Sequence, residues 1–243
     1  MHAYLGISFL RLTTSSAFAA DPVLVRTVDH LGDRYTVVTV HLGGDVELSL
    51  CGGHAGGLTF GDARTEVGQG GRTAVALMNG GMYGTDGGPL GLFVDNGVEL
   101  HPIDLGSGSG NFYLKPNGVF WVDVRGIAHV TVSTSYVTLP RQVSLATQSG
   151  PMLIVDGVVQ PELNPTSTNK LRCNAVGVSD DGKTVHLVIS DGDVRFYDLA
   201  TLFRDKLSCN NALYLDGVVS NVWTDGSVPS ARYGSVIAVT RRK

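Results

Sequence analysis

The chain has 243 residues, 43% hydrophobic and 16% charged, with a formal net charge of −4. That is enough apolar material for a sizeable core. The balance lacks the basic stripe that nucleic acid requires, and Arg241-Arg242-Lys243 reads as a solvated tail. No stretch approaches the roughly 18 apolar residues of a membrane helix, so no membrane span is expected. The 32 glycines are about twice the usual share and suit many strands joined by tight turns.

Residues 1–20 stand apart. Residues 4–10 are mostly apolar, and Ala17-Phe18-Ala19 has the small-x-small form of a signal-peptidase site. We expect a cleaved export signal over 1–20 and a mature domain over 21–243, periplasmic or secreted. The alternatives are a buried strand or a misplaced start codon. Cys51, Cys173 and Cys209 make an odd count without metal-type spacing. An oxidising compartment would permit one disulfide and one free thiol, in any of three pairings.

Along the mature chain, β-branched runs predict strands over 23–28, 35–42 and 46–50. Cys51 to Gly57 is a glycine loop around His54, which is more simply solvated than catalytic. Apolar runs at 74–78 and 90–94 bracket a polar, glycine-rich turn that begins Asn79-Gly80-Gly81. Adjacent glycines admit close approach and expose peptide N–H groups. Asp95-Asn96-Gly97 is a hairpin signal, and a similar Gly-Pro, apolar run, Asp-Gly order recurs at 150–158. Gly106-Ser107-Gly108-Ser109-Gly110 resembles a dinucleotide fingerprint but lacks the strand-to-helix context. Residues 111–121 read as a hairpin with Asn117-Gly118 at its turn, and 128–137 as a strand.

Strands are expected at 175–178 and 184–189, joined by Asp180-Asp181-Gly182. The one convincing helix spans about 194–208. Phe196, Leu199, Leu202, Phe203 and Leu207 share its apolar face, Asp193 can cap its start, and Arg204 and Lys206 suit its end. Strands at 212–215 and 235–240 follow. The fold class is therefore α+β: one strand-rich domain with antiparallel or mixed sheets and few helices.

Polar clusters fall at the strand ends and loops: Asn79-Gly80-Gly81, Gln148-Ser149-Gly150, Arg172-Cys173-Asn174, and Asp216 with Ser220, with Asp191 as a fifth candidate. Phosphate-ester chemistry needs a cation or N–H groups on the anionic oxygens, and a general acid or nucleophile. Arg172 offers a planar fork for phosphate, while Asp216 and Asp191 offer the two carboxylates that glycosyl transfer to water typically uses. Against this, Asp-Gly is a standard turn and recurs five more times. A surface arginine is more often an ion-pair partner than a clamp.

The ordered motifs Met78-Asn79-Gly80-Gly81-Met82-Tyr83, Pro89-Leu90-Gly91-Leu92-Phe93-Val94, the stretch 111–120, Ala146-Thr147-Gln148-Ser149-Gly150-Pro151, and Asn211-Ala212-Leu213-Tyr214-Leu215-Asp216-Gly217 resemble the phosphodiester glycosidase family, closest to its bacterial exported branch. The resemblance runs from about 37 to 239. It implies an exported mixed α/β hydrolase that cleaves a sugar-1-phosphodiester to free sugar and a phosphomonoester. Asp216 and Asp191 would be its carboxylates and Arg172 its phosphate clamp. Asn79, Gly80, Gly81, Gln148, Ser149, Gly150, Asn174 and Ser220 would bind substrate. The implied partner is a phosphorylated carbohydrate or envelope glycan. The sequence leaves metal dependence open: no cofactor is assigned, and carboxylates near a phosphate can hold a divalent cation. The alternative is a non-catalytic module binding phosphorylated glycans or envelope polymers. Cys173 departs from the bacterial pattern by standing between Arg172 and Asn174, which leaves open the side chain that faces the site. Val218-Val219 stands where the family's uncovering enzyme is richer in glycine.

Overall fold

The computed structural model describes residues 21–243 apart from Val218. The expected export signal lies outside the described residues. Three antiparallel sheets carry the fold. The first runs, edge to edge, Val23–His30, Asp33–His41, Thr184–Ser190, Asn174–Val178, Asn211–Asp216, Met152–Val155, Val158–Val159. The second runs Val222–Trp223, Arg72–Asn79, Ser235–Arg242, Val46–Gly52; the third runs Val98–His101, Phe93–Asp95, Val143–Ser149, Gly118–Asp123, Ala128–Val132.

One core joins them. Val38, Val176 and Leu213 of the first sheet meet Met78 and Ile237 of the second and Phe93, Phe120 and Leu145 of the third. Because side chains alternate along a strand, the first sheet also buries its opposite face. There Tyr35, Val37, Ala175, Ala212 and Tyr214 pack with Leu199, Leu202 and Phe203 of the helix Phe196–Leu207. The second sheet is backed by the helix Phe60–Gln69, through Phe60, Ala63 and Val67.

The main helix falls where expected, with Arg204 and Lys206 in its last turn, but Arg195 rather than Asp193 occupies the N-cap and makes no side-chain cap. Arg195 pairs instead with buried Asp198 at 2.7 Å. The helix Phe60–Gln69 has a capping box: Thr59 accepts from the Asp62 N–H at 3.1 Å, and Asp62 from the Thr59 N–H at 2.9 Å. The pattern Thr-x-x-Asp is a legible start signal.

The hairpin expected over 111–121 is corrected. Asn111–Tyr113 is a 3-10 turn and Gly118 begins a strand. Asn117 is buried and its amide donates to the Phe112 carbonyl at 3.2 Å. Gly118 serves close packing, since Met152 Sδ occupies the place of a side chain there. The turn lies at Asp123–Gly126, where the Asp123 carboxylate accepts from the N–H groups of Arg125 and Ile127 at 2.8 and 3.0 Å. The strand expected over 128–137 stops at Val132, and Ser133–Tyr136 is a helical turn. All three cysteines are free and buried.

Candidate active site

The site is assembled where strand ends of all three sheets meet. Asn79 ends one strand, Ser149 a second, Asp216 a third, and Asn174 begins a fourth. Asp216 arrives there through an irregularity. Ala175 pairs with Tyr214 but Asn174 pairs with Asp216, so the ladder slips by one residue at Leu215. A bulge of this kind re-aims the side chain beyond it. It takes Asp216 off the Tyr214 face and onto the face of Asn174.

The hydrogen bonds fix the orientation of each amide. The Asn221 N–H donates to Asn79 Oδ1 at 2.9 Å, so Nδ2 of Asn79 faces Asp216 and donates to its Oδ2 at 3.2 Å. Asn174 Nδ2 donates to the Asn79 carbonyl at 2.6 Å and to Asn79 Oδ1 at 3.2 Å. Asn174 Oδ1 lies 3.2 Å from the Ser220 hydroxyl, which also reaches the Asp216 carbonyl at 3.0 Å. Asp216 Oδ1 accepts from the Gly217 N–H at 2.7 Å. Burial raises the Asp216 carboxyl to about 6, against the opposing pull of the Gly217 N–H and the Asn79 amide.

The Arg172 main chain passes next to Gly217. Its carbonyl lies 3.7 Å from where a side chain on Gly217 would begin. The Arg172 Nε is buried without a hydrogen-bond partner. Cys173 points the other way, into the core with Ala175 and Tyr214, so the extra residue leaves Asn174 on the site and buries its own thiol. Burial pushes that thiol well above the usual range, which removes it as a nucleophile.

The other expected site residues divide. Ser149 is fully buried and donates to the Leu215 carbonyl at 2.7 Å, tying the third sheet to the strand that carries Asp216. Gly81 lets the sheets meet: a side chain there would strike the Gln148 carbonyl and come within 2.7 Å of Thr147 Oγ1. The Gly80 N–H is already given to the Ser235 carbonyl at 2.9 Å and is not free for a ligand. Gly150 packs against Asn117 and the Phe112 carbonyl.

Gln148 faces away from the site. Its Oε1 accepts from the N–H groups of Leu92 and Asp104, and its Nε2 donates to the Asp104 carbonyl and Ser133. Asp191 is exposed; Thr36 donates to it at 3.3 Å, and no hydrogen bond among the described residues links it to Asp216. No group of three or more His, Cys, Asp or Glu suited to a metal occurs among the described residues.

Two aromatic residues beside the carboxyl were not singled out by the sequence. Tyr83 and Tyr233 both have phenols raised first by burial, and the Asp216 charge acts on each. Tyr83 lies within one of the family motifs; nothing in the local sequence marks Tyr233. A cavity of about 540 Å³, lined in part by Leu42, Val46, Asp123, Arg125 and Lys183, lies at the opposite strand ends. Its buried carboxylate, Asp123, is held by Arg125, so that cavity has the volume but not the chemistry.

Comparison with known proteins gives one family. The sequence profile described as phosphodiester glycosidase matches residues 72–239. The uncharacterized protein YigE of Escherichia coli (strain K12) is 37% identical over 167 residues, 67% of this chain and 63% of that protein. The match thus spans less than two thirds of that relative. Among solved structures, the catalytic domain of zebrafish N-acetylglucosamine-1-phosphodiester alpha-N-acetylglucosaminidase, auto-inhibited by its pro-peptide, superposes with a TM-score of 0.60 at 18% identity, covering 93% of this chain and 85% of that one. A hypothetical protein from Synechocystis gives 0.57 at 15% identity, covering 92% and 64%. At these identities the structural likeness concerns the fold.

Proposed function

The chain belongs to the phosphodiester glycosidase family, and from that premise we propose that it is an exported hydrolase cleaving a sugar-1-phosphodiester to free sugar and a phosphomonoester. The observation that carries this reading is a carboxyl raised to about 6 and an unpartnered buried arginine nitrogen that both act on the same tyrosine, Tyr233. A carboxyl titrating near the working pH is matched to proton transfer. A free guanidinium N–H is matched to a phosphoryl oxygen.

Water adds to the anomeric carbon as the bond from that carbon to the phosphoryl oxygen breaks. The electron pair leaves with the phosphate, and the water proton passes to Asp216, acting as general base; in the nucleophilic variant Asp216 attacks the carbon first. A phosphate ester is a good leaving group and needs little protonation, so a single carboxylate suffices. Arg172 holds the phosphoryl group, Gly81 can add an N–H, and Asn79, Asn174, Ser149 and Ser220 hold Asp216 in place. The natural substrate is a phosphorylated carbohydrate or envelope glycan.

The test is to assay the purified protein on a sugar-1-phosphate diester and on an uncharged nitrophenyl glycoside of the same sugar, with and without chelator, beside Asp216→Asn. Cleavage of the diester alone, lost in the variant, is expected. Full activity in Asp216→Asn overturns the assignment. Diester binding without product release would make the protein a glycan-binding module.

A further inference from the structure

Tyr233 is 1% exposed, yet its hydroxyl has no hydrogen-bond partner. The Asn221 amide lies near it but outside bonding geometry. The buried Nε of Arg172 is equally unpartnered. Buried polar groups are almost always satisfied, so a donor left open asks for an explanation. Three other such atoms occur among the described residues, on Tyr35, His129 and Arg241. They sit in the core between the first sheet and the helix Phe196–Leu207, against Trp121 and in the last strand respectively. Tyr233 and Arg172 differ in sharing a neighbourhood, since the Arg172 charge and the Asp216 carboxyl both act on the Tyr233 phenol.

The fold aims that phenol without using its hydroxyl. Tyr233 exchanges both main-chain hydrogen bonds with Leu58, at 2.8 and 2.9 Å. Its ring stacks on Phe60 with centroids 4.8 Å apart. Two residues on, Ser235 accepts the Gly80 N–H and fills the space beside Gly80, and Tyr83 packs against Gly234. The ring is thus held by packing and main-chain bonds, with its hydroxyl in the neighbourhood of Tyr83, Arg172 and Asp216. Burial raises the phenol, so it stays protonated near neutral pH and can donate. Arginine donates only. Open donors of this kind suit an anion with several oxygens better than a neutral sugar, whose hydroxyls both donate and accept.

We propose that Tyr233 Oη and Arg172 Nε together bind the non-bridging oxygens of a phosphodiester monoanion, which makes Tyr233 a substrate-binding residue. The assignment of that anion as the substrate's rests on the glycosidase reading above; the binding itself does not require turnover. One cation matches one negative charge, and the tyrosine adds a donor without adding charge. A phosphomonoester dianion would leave an excess charge facing Asp216, so the site favours the diester over the product.

The test uses dimethyl phosphate as probe, titrated into the full chain and followed by chemical shifts. Tyr233→Phe removes the hydroxyl and keeps the stack on Phe60. We expect affinity to fall about tenfold, the scale of one hydrogen bond to a charged group, with no loss of Tm because no intramolecular bond is removed. Arg172→Met should weaken binding further, and binding of the neutral sugar should be unchanged in Tyr233→Phe. Equal affinity in Tyr233→Phe, or no binding of dimethyl phosphate by the wild type, overturns the proposal. Tyr233-dependent binding without cleavage of any sugar diester would uphold it and count against the glycosidase reading.

Discussion

Asn79 Nδ2 donates to Asp216 Oδ2 at 3.2 Å across the junction of two sheets. The direction is imposed, because the Asn221 N–H claims the other end of the same amide at 2.9 Å. This bond lowers the Asp216 pKa against burial, which sets it near 6. With Asp216 as base, kcat/KM should rise with pH through about 6 and then level. Asn79→Ala removes the donor, so the rising limb should move to higher pH, while the orphaned Asn221 N–H costs about 1–3 kcal/mol of stability. A pH–rate series on both proteins checks this. A limb that stays in place in the variant would dissociate Asn79 from the titrating group.

Asp216 should be a stability cost at neutral pH. Its folded pKa, about 6, lies above the ordinary 3.8. Between those values the folded state holds more protons than the unfolded state, so stability falls as pH rises from about 4 to about 6 and is flat above. Asp216→Asn removes the buried charge. It should raise stability at pH 7.5 by about 1–3 kcal/mol, the upper end following from about 1.4 kcal/mol for each pH unit by which burial raises the carboxyl. The lower end allows for the new amide N–H facing an existing donor. At pH 4 the gain should vanish. Denaturant titrations at the two pH values measure it, and a variant less stable than wild type at pH 7.5 contradicts it.

Much of this arrangement is written in local sequence. Asn96 and Gly97 take φ of 47° and 78°, and Asp156 and Gly157 take 49° and 80°, the left-handed pair that the Asp-Asn-Gly and Asp-Gly signals call for. The strand 143–149 is less legible because Thr147, Gln148 and Ser149 are polar yet buried. Their partners lie far along the chain, so no local pattern announces them. The same holds at the site: Asp216 is one Asp-Gly among six. The bulge at Leu215 and the bonds from Asn79 and Gly217 distinguish it, and only the folded chain shows them. Tyr233 is marked solely by what its hydroxyl lacks.

Gln148 illustrates the converse, a residue in a family motif whose work is structural. Its amide makes four hydrogen bonds, to Leu92, twice to Asp104 and to Ser133. Gln148→Ala should cost about 3 kcal/mol or more, since several buried groups lose partners together. The denaturant midpoint reports that loss. KM measured on the folded protein should stay at the wild-type value; a large rise would return Gln148 to the site.

The Thr59 side chain bonds to Asp62 at the start of the helix Phe60–Gln69 and touches neither Asp216 nor its hydrogen-bond partners. Thr59→Ala removes the side chain that accepts the Asp62 N–H at 3.1 Å. About 1 kcal/mol should be lost, or roughly 2–4 °C in Tm for a chain of this size, with turnover retained. Thermal unfolding distinguishes this from an unperturbed helix.

Gly81 is required for a reason unrelated to backbone flexibility. It is absent from the positive-φ glycines, so an alanine could adopt its conformation. The obstruction is spatial: the added methyl would meet the main-chain carbonyl of Gln148 and lie 2.7 Å from Thr147 Oγ1. The carbonyl cannot swing aside, because the strand Val143–Ser149 is paired on both edges. The two sheets would have to part at the point where Ser149 bonds to Leu215 and fixes the strand carrying Asp216. Gly81→Ala should therefore cost about 1–3 kcal/mol, the usual range for overpacking, and lower kcat more than it raises KM. Gly126→Ala is the comparison, since a methyl there meets nothing within 4 Å but the φ of 78° is strained. It should lose stability while keeping kcat, and equal losses of kcat in both variants would show that the Gly81 contact does not govern the position of Asp216.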